Sequence, residues 1–208
     1  MDLVLVDGEN PSPATVARAV SLLRAGKLLI YPTDTLYALG GRALDAAAVD
    51  RVRLAKGREE WKPLPLVAAD LPQALGLCSA EPAALGRLAS RFWPGPLTLI
   101  LPAAATLPDA VTAGTGTVAV RVPALALVRR LCAEAGPLVS TSANPAGAPP
   151  PKTCREAVVG VGRAAALALD GGTAASAAGS TIVDLAHREP RLVRPGPISW
   201  DAVAAALR

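Results

Sequence analysis

Small hydroxyl side chains follow apolar stretches at three points of the sequence, and they are the first candidates for binding chemistry. Thr33 and Thr35 come after "KLLIY", residues 140–142 read Ser-Thr-Ser after "PLV", and Ser180 and Thr181 form the third group. A hydroxyl group both donates and accepts hydrogen bonds, which suits a polar ligand. Local capping turns are the alternative explanation for each group taken alone.

Each of these three clusters of hydroxyl side chains is expected to lie where a strand ends. In an open α/β sheet, ligands bind at the carboxyl ends of strands, so we expect the three groups to meet over one crevice. Alternation along "PLVSTSAN" predicts that Ser140 and Ser142 point to one face and Thr141 to the other, with Asn144 in the turn that follows.

Basic side chains cluster in "LAKGREEWKPL", at the end of a predicted helix. Lys56, Arg58 and Lys62 lie close together there, although the chain has only four lysines. Such cations neutralise phosphate or carboxylate groups, and a guanidinium binds either anion in a bidentate manner. The alternative is that the helix dipole alone favours cations at this end. If these groups only bind ligand, Lys56→Ala or Arg58→Ala should abolish turnover and leave the melting temperature almost unchanged.

The composition excludes several classes of protein. His187 is the single histidine, which excludes most histidine-based triads and any multi-histidine metal site, and we predict that it is a solvated loop residue. Three cysteines without ligand spacing indicate reduced thiols of a cytoplasmic protein. The net charge of +4 fits a local basic cleft better than a nucleic-acid arm. Neither a signal peptide nor an apolar segment of membrane length is recognisable, so no membrane association is expected.

Alternating helix and strand patterns predict an α/β protein. Ser12 as the N-cap and Pro13 as the first helical residue begin a helix that stops at Gly26, and a second helix spans about 45–56. We expect a single domain over residues 1–208, with a twisted mixed sheet flanked by helices and an open basic cleft. The proline-rich stretch "NPAGAPPPKT" is a candidate lid over that cleft.

Seven motifs, in this order, resemble the YrdC/Sua5 family, the threonylcarbamoyl-AMP synthases. They are "PTDTLYALG", "KGR" followed by "KPLPL", "WPGPLTLIL", "TVAVRVP", "STSAN", "STIVD" and "RPG". The resemblance extends from about residue 12 to residue 200, and it is specific because all seven motifs occur in register. It implies the short form of the family, a YrdC-like domain without the extra C-terminal domain of the longer Sua5 type.

The resemblance implies an enzyme that condenses L-threonine, bicarbonate and ATP to threonylcarbamoyl-AMP and pyrophosphate. It implies Lys56 and Arg58 as catalytic residues, with Mg²⁺ held through the ATP phosphates and no metal site in the protein itself. The implied L-threonine site comprises Thr35, Arg121, Thr141 and Ser180. The implied ATP site comprises Arg58, Lys62, Thr117, Ser142, Ala143, Asn144, Pro151 and Arg194.

An enzyme of this kind works by alignment and charge neutralisation, so it needs no protein nucleophile. The implied partners are the tRNA-modifying transferases that carry the threonylcarbamoyl group to the adenosine beside the anticodon, and direct tRNA binding is left open. One alternative is a non-catalytic RNA-binding module that uses the same basic cleft and binds less tightly as salt is added. A second is the related carbamoyl-adenylate chemistry of hydrogenase-maturation proteins, which are far longer chains.

Overall fold

The computed structural model of the protein describes residues 1–57, 62–80, 82–174 and 179–208. It confirms the α/β class, because strands and helices alternate along most of the chain. The strands are β1 (Asp2–Leu5), β2 (Leu28–Pro32), β3 (Tyr37–Gly40), β4 (Leu66–Val67), β5 (Leu97–Pro102), β6 (Thr117–Arg121), β7 (Leu138–Val139), β8 (Thr141–Ser142), β9 (Ala165–Asp170), β10 (Thr181–Asp184) and β11 (Arg191–Arg194). The helices are α1 (Pro13–Arg24), α2 (Ala46–Lys56), α3 (Leu71–Leu75), α4 (Leu85–Phe92), α5 (Asp109–Thr112), α6 (Ala126–Ala135), α7 (Cys154–Val161) and α8 (Trp200–Leu207).

The strands divide between two mixed sheets, whereas the sequence predicts one. The first sheet has the order β1-β9-β2-β3-β8, and the second has the order β11-β10-β5-β6-β4-β7. Each contains parallel pairs, such as β2 with β9 and β5 with β10, and antiparallel pairs, such as β2 with β3 and β5 with β6. The chain crosses from the second sheet to the first at Ser140, because β7 pairs with β4 and β8 pairs with β3. This crossover joins the two sheets.

Local capping explains where the first two long helices begin and end. Ser12 Oγ accepts a 3.1 Å hydrogen bond from the N–H three residues later at the start of α1, and Asp45 does the same over 3.0 Å at the start of α2. Gly57 ends α2 with a φ of +56°, the left-handed conformation that glycine adopts readily. Both predicted helices are confirmed, and α2 carries Lys56 at its carboxyl end.

The segment after β2 forms a hairpin, where the sequence predicts only a loop. Thr33 closes the turn, because its N–H donates to the carbonyl of Leu36 over 3.0 Å and its hydroxyl donates to the same oxygen over 2.7 Å. The chain then returns as β3, antiparallel to β2. Gly40 allows β3 to lie close to β7, because a Cβ at this position would be 2.2 Å from the carbonyl oxygen of Val139. Thr35 is thereby held in the turn of the hairpin.

Aliphatic side chains cover both faces of the first sheet. Along β2, Leu28 and Ile30 belong to the core that also contains residues of β5 and β6, whereas Leu29 and Tyr31 pack with α1 and α6. Because aromatic residues make up only 3% of the sequence, Leu, Val and Ala supply most of this core. In the described part of the chain, no helix combines the length and the apolar composition that crossing a membrane requires.

Candidate functional site

A cavity of about 330 Å³ is lined by residues of both sheets. The β2–β3 turn and the crossover segment 140–142 contribute hydroxyl groups from one side, and β5, β6, β10 and β11 contribute the other walls. This first cavity brings together six of the residues predicted from the sequence. They are Thr35, Arg121, Thr141, Ser142, Ser180 and Arg194.

A second cavity, of about 450 Å³, adjoins the first at Ser142, which lines both. Lys56, Lys62 and Asn144 also line this second cavity. The cations at the end of α2 therefore lie beside the hydroxyl-rich crossover, as the sequence predicts. Arg58, the remaining predicted cation of this group, lies outside the described residues.

Arg121 is a buried cation whose guanidinium group is held on three sides. Its Nε donates to the carbonyl of Gly95 over 2.8 Å, and its Nη1 donates to Thr35 Oγ1 over 3.0 Å. Its Nη2 lies 2.5 Å from Asp34 Oδ1, so the two side chains form an ion pair. Burial lowers the pKa of Arg121, and the carboxylate of Asp34 opposes that shift. The group stays charged, because an arginine is not deprotonated in proteins.

Arg194 supplies a second guanidinium group to the first cavity from the end of β11. Its Nε and Nη2 donate to the carbonyl oxygen of Ser180 over 3.1 and 2.8 Å, and its Nη2 also lies 3.3 Å from Ser180 Oγ. Partial burial lowers the pKa of Arg194. Because Arg121 and Arg194 line the same cavity, this cavity favours a ligand with an anionic group.

Lys56 is buried, and its ammonium group contacts the crossover segment directly. Nζ donates to the carbonyl oxygens of Ser142 and Asn144, each over 2.6 Å, and lies 3.1 Å from Asn144 Oδ1. The sequence offered two explanations for this lysine, a favourable helix dipole or a phosphate contact. The structure adds a third, since Lys56 fixes the backbone that follows β8.

One expectation about the hydroxyl residues is wrong. Residues 140–142 all line the first cavity, and the alternation of their side chains stays a prediction. The chain changes sheets at Ser140, whose N–H donates to the carbonyl of Pro65 over 2.9 Å. Ser180 precedes β10, although a position after a strand is predicted. The reason is that β10 runs parallel to β5 and antiparallel to β11, so β10 begins at the edge where β11 ends with Arg194.

Three predicted residues do not line either cavity. Thr117 begins β6, two positions before Ala119 of the first cavity, and its hydroxyl lies 3.0 Å from Thr115 Oγ1. Ala143 is buried and donates its N–H to the carbonyl of Tyr37 over 2.9 Å. Pro151 is also buried, and the neighbouring Pro150 lines the first cavity instead. Their roles in binding stay predictions.

The first cavity is also lined by Thr33 and Ser140, which the hydroxyl pattern of the sequence makes binding candidates although the family resemblance gives neither a role. It is lined as well by Thr98, which neither the pattern nor the resemblance singles out. A signal for Thr98 was available, because it is the polar member of the strand sequence "LTLIL", and a buried polar group in a strand needs a hydrogen-bonding partner.

Asp184 organises the turn that contains His187. Asp184 Oδ2 lies 2.8 Å from His187 Nδ1 and accepts a 3.0 Å hydrogen bond from Arg191 Nε. The His187 side chain is 61% exposed, which agrees with the solvated position predicted for it. Among the described residues, no three or more histidine, cysteine, aspartate or glutamate side chains form a group able to hold a metal ion.

Comparison with known proteins identifies the family. The profile of the Sua5/YciO/YrdC family, described as telomere recombination, matches residues 21–196. The chain belongs to this family. The family match agrees with the resemblance carried by the seven motifs.

Two curated relatives and one crystal structure share this family's sequence or fold with the chain. A Mycobacterium tuberculosis protein, provisionally named a threonylcarbamoyl-AMP synthase, is 37% identical over 97% of this chain and 92% of its own length. The threonylcarbamoyl-AMP synthase of Bacillus subtilis is 38% identical over 98% of this chain and 59% of its own length. The crystal structure of Pyrococcus abyssi Sua5 complexed with L-threonine has a TM-score of 0.94 at 35% identity, and the match covers 99% of this chain and 61% of that one. The chain thus spans about three fifths of the Bacillus and Pyrococcus proteins.

Proposed function

We propose that this protein is an L-threonylcarbamoyladenylate synthase, a nucleotidyltransferase that condenses L-threonine, bicarbonate and ATP to threonylcarbamoyl-AMP and pyrophosphate. The observation that carries the proposal is the pair of adjoining cavities, one with two guanidinium groups and the other with two lysines. Such a pair suits an amino acid beside a nucleotide, because both ligands carry anionic groups. The name of the Bacillus relative and the L-threonine complex of the Pyrococcus protein support the same activity.

In the proposed arrangement, the first cavity holds L-threonine. Arg121 binds the carboxylate of the amino acid, because its guanidinium group has five N–H donors and gives only one to Gly95 and one to Thr35 in addition to its contact with Asp34. Thr35, Thr141 and Ser180 surround the substrate with hydroxyl groups that donate or accept hydrogen bonds as its polar atoms require.

The second cavity holds the phosphates of ATP in this proposal. The ATP-binding residues remain those expected from the sequence, namely Arg58, Lys62, Thr117, Ser142, Ala143, Asn144, Pro151 and Arg194. Lys56 and Arg58 act as the catalytic residues by neutralising phosphate charge. Lys56 has a second task, since its hydrogen bonds hold the backbone of Ser142 and Asn144, two of the residues that contact the nucleotide.

The proposed chemistry joins two anions. The amine of L-threonine first reacts with bicarbonate to give a carbamate and water. A carbamate oxygen then attacks the α-phosphorus, and pyrophosphate leaves from the opposite side. The task of the protein is to align the two anions and to offset their repulsion with fixed positive charge, which needs no protein nucleophile. Mg²⁺ would accompany ATP and neutralise part of its charge, because phosphate oxygens and water are the ligands this cation prefers.

The product would be passed on to tRNA-modifying transferases, which place the threonylcarbamoyl group on the adenosine beside the anticodon. A mixed anhydride of this kind is unstable in water, so a short delay before transfer is advantageous. These partners and the cytoplasmic location belong to the proposal.

The test is an assay of pyrophosphate release from ATP. Release should require both L-threonine and bicarbonate, and omission of either should reduce it to background. Release that is absent, or that does not change when L-threonine is omitted, contradicts the proposal. The RNA-binding alternative is less favoured, because the named relatives are synthases and the net charge is only +4.

A further inference from the structure

Thr98 is a buried hydroxyl residue on the wall of the first cavity. Strand pairing places Thr98, Ile182 and Arg194 in one row across β5, β10 and β11. Thr98 Oγ1 lies 2.6 Å from Ser180 Oγ, and the same oxygen of Ser180 lies 3.3 Å from Arg194 Nη2. The hydroxyl of Ser180 is therefore held between a neutral hydroxyl and a guanidinium group.

The direction of these hydrogen bonds decides what Ser180 offers to a ligand. A guanidinium group only donates, so Ser180 Oγ accepts from Arg194. A hydroxyl has one hydrogen and two lone pairs. When Thr98 donates to the second lone pair, the hydrogen of Ser180 can be given to an acceptor in the cavity. When Ser180 instead donates to Thr98, it has only a lone pair to offer.

The charge of the cavity favours the first arrangement. Arg121, which binds the carboxylate of L-threonine in the proposed arrangement, lines the same cavity as Ser180, and a carboxylate accepts hydrogen bonds. We propose that Thr98 is a positioning residue, which donates its hydrogen to Ser180 so that Ser180 donates to the carboxylate of bound L-threonine. This inference rests on the proposed function and adds to it a residue that acts through Ser180.

Thr98→Val is the direct test, because valine keeps the β-branched shape that suits a strand and lacks the hydroxyl. Thr98→Ser is the matched control, since it keeps the hydroxyl and loses the methyl group. Binding of L-threonine is measured by titration calorimetry with a non-hydrolysable ATP analogue and Mg²⁺ present. Thr98→Val should raise the Kd roughly three- to tenfold, as expected for the loss of a neutral hydrogen bond, and Thr98→Ser should stay within about twofold of wild type.

A double-mutant cycle with Ser180→Ala separates positioning from a general effect on the fold. If Thr98 acts through Ser180, Thr98→Val should change the Kd by less than about twofold once Ser180 is alanine. Thr98→Ala removes the same hydroxyl in a second way and should show the same dependence on Ser180. The inference is overturned by a wild-type Kd in Thr98→Val, or by an undiminished effect of Thr98→Val in the Ser180→Ala background.

Failure of this inference and failure of the proposed function give different results. If wild-type protein binds L-threonine and releases pyrophosphate in its presence, an unchanged Kd in Thr98→Val overturns only the role of Thr98. If wild-type protein does not bind L-threonine under these conditions, the proposed function and the role of Thr98 are both overturned.

Discussion

Replacing Lys56 by methionine removes a buried ammonium group from the backbone that it fixes and leaves a side chain of similar length. Three oxygen atoms lie within 3.1 Å of Nζ, and two of them are the carbonyl oxygens of Ser142 and Asn144. Lys56 is only 5% exposed, so water does not easily replace the lost donor. The variant therefore leaves polar atoms without a partner inside the protein.

The expected loss of stability follows from those contacts. The carbonyl oxygen of Asn144 loses its partner, which costs about 1–3 kcal/mol. The carbonyl oxygen of Ser142 keeps the hydrogen bond that it accepts from the Asn144 N–H over 2.9 Å, so it loses only the bond to Lys56, and the two oxygens together give about 2–5 kcal/mol. Methionine also removes the cost of burying a charge, which places our expectation for Lys56→Met in the lower part of that range, at about 2–4 kcal/mol. For a domain of this size, such a loss lowers the melting temperature by roughly 5–15 °C.

Thermal unfolding of Lys56→Met beside Lys62→Met measures this effect. Lys62 lines the same cavity but is exposed, so its replacement should change the free energy of unfolding by less than about 0.5 kcal/mol. Both variants should lose threonine-dependent pyrophosphate release. A melting temperature for Lys56→Met equal to that of wild type would refute the assignment of Lys56 to the crossover backbone. It would favour the purely ligand-binding role considered from the sequence.

Three further predictions concern the fold around the site. Gly40→Ala should destabilise the protein by at least about 2 kcal/mol in urea unfolding, because the new Cβ would lie 2.2 Å from the carbonyl oxygen of Val139. Gly86→Ala in helix α4 is the control, since a Cβ there meets open space and the change should be neutral or stabilising. Burial raises the pKa of Asp184, but hydrogen bonds from the Ala186 N–H, His187 and Arg191 outweigh it, so the net shift is downward from 3.8. Because the folded-state pKa is depressed, the stability that Asp184 contributes is complete well above pH 3.8 and is lost as the pH falls through the folded-state value. The difference in unfolding free energy between wild type and Asp184→Asn should therefore be constant near neutral pH and shrink in acid, and a difference that persists in acid contradicts this account. Burial raises the pKa of the Cys154 thiol to about 11, and Cys132 is fully buried. A thiol reagent at pH 8 should therefore modify Cys78 first and the other two cysteines only after unfolding. Mass spectrometry of the labelled protein measures this order.

The sequence by itself determined the features that depend on neighbouring residues. Ser12 and Asp45 cap α1 and α2 through N–H groups three residues away, so both helices could be predicted from their own segments. The order of the seven motifs was likewise sufficient to identify the family. The sequence does not predict the short elements β1, α3 and α5, because four or five residues carry too little periodicity to be recognised.

Only the tertiary structure decided how the site is assembled. Ser180 lies just before a strand, Thr98 contacts it across 82 positions of sequence, and Lys56 contacts a backbone 86 positions away. Strand order and direction are set by pairing between distant segments, and the sequence pattern within a strand does not specify its neighbour. The residue types that bind a ligand could therefore be recognised in the sequence. The packing of the two sheets against each other decides which of these residues are in contact and which of them donates in each hydrogen bond.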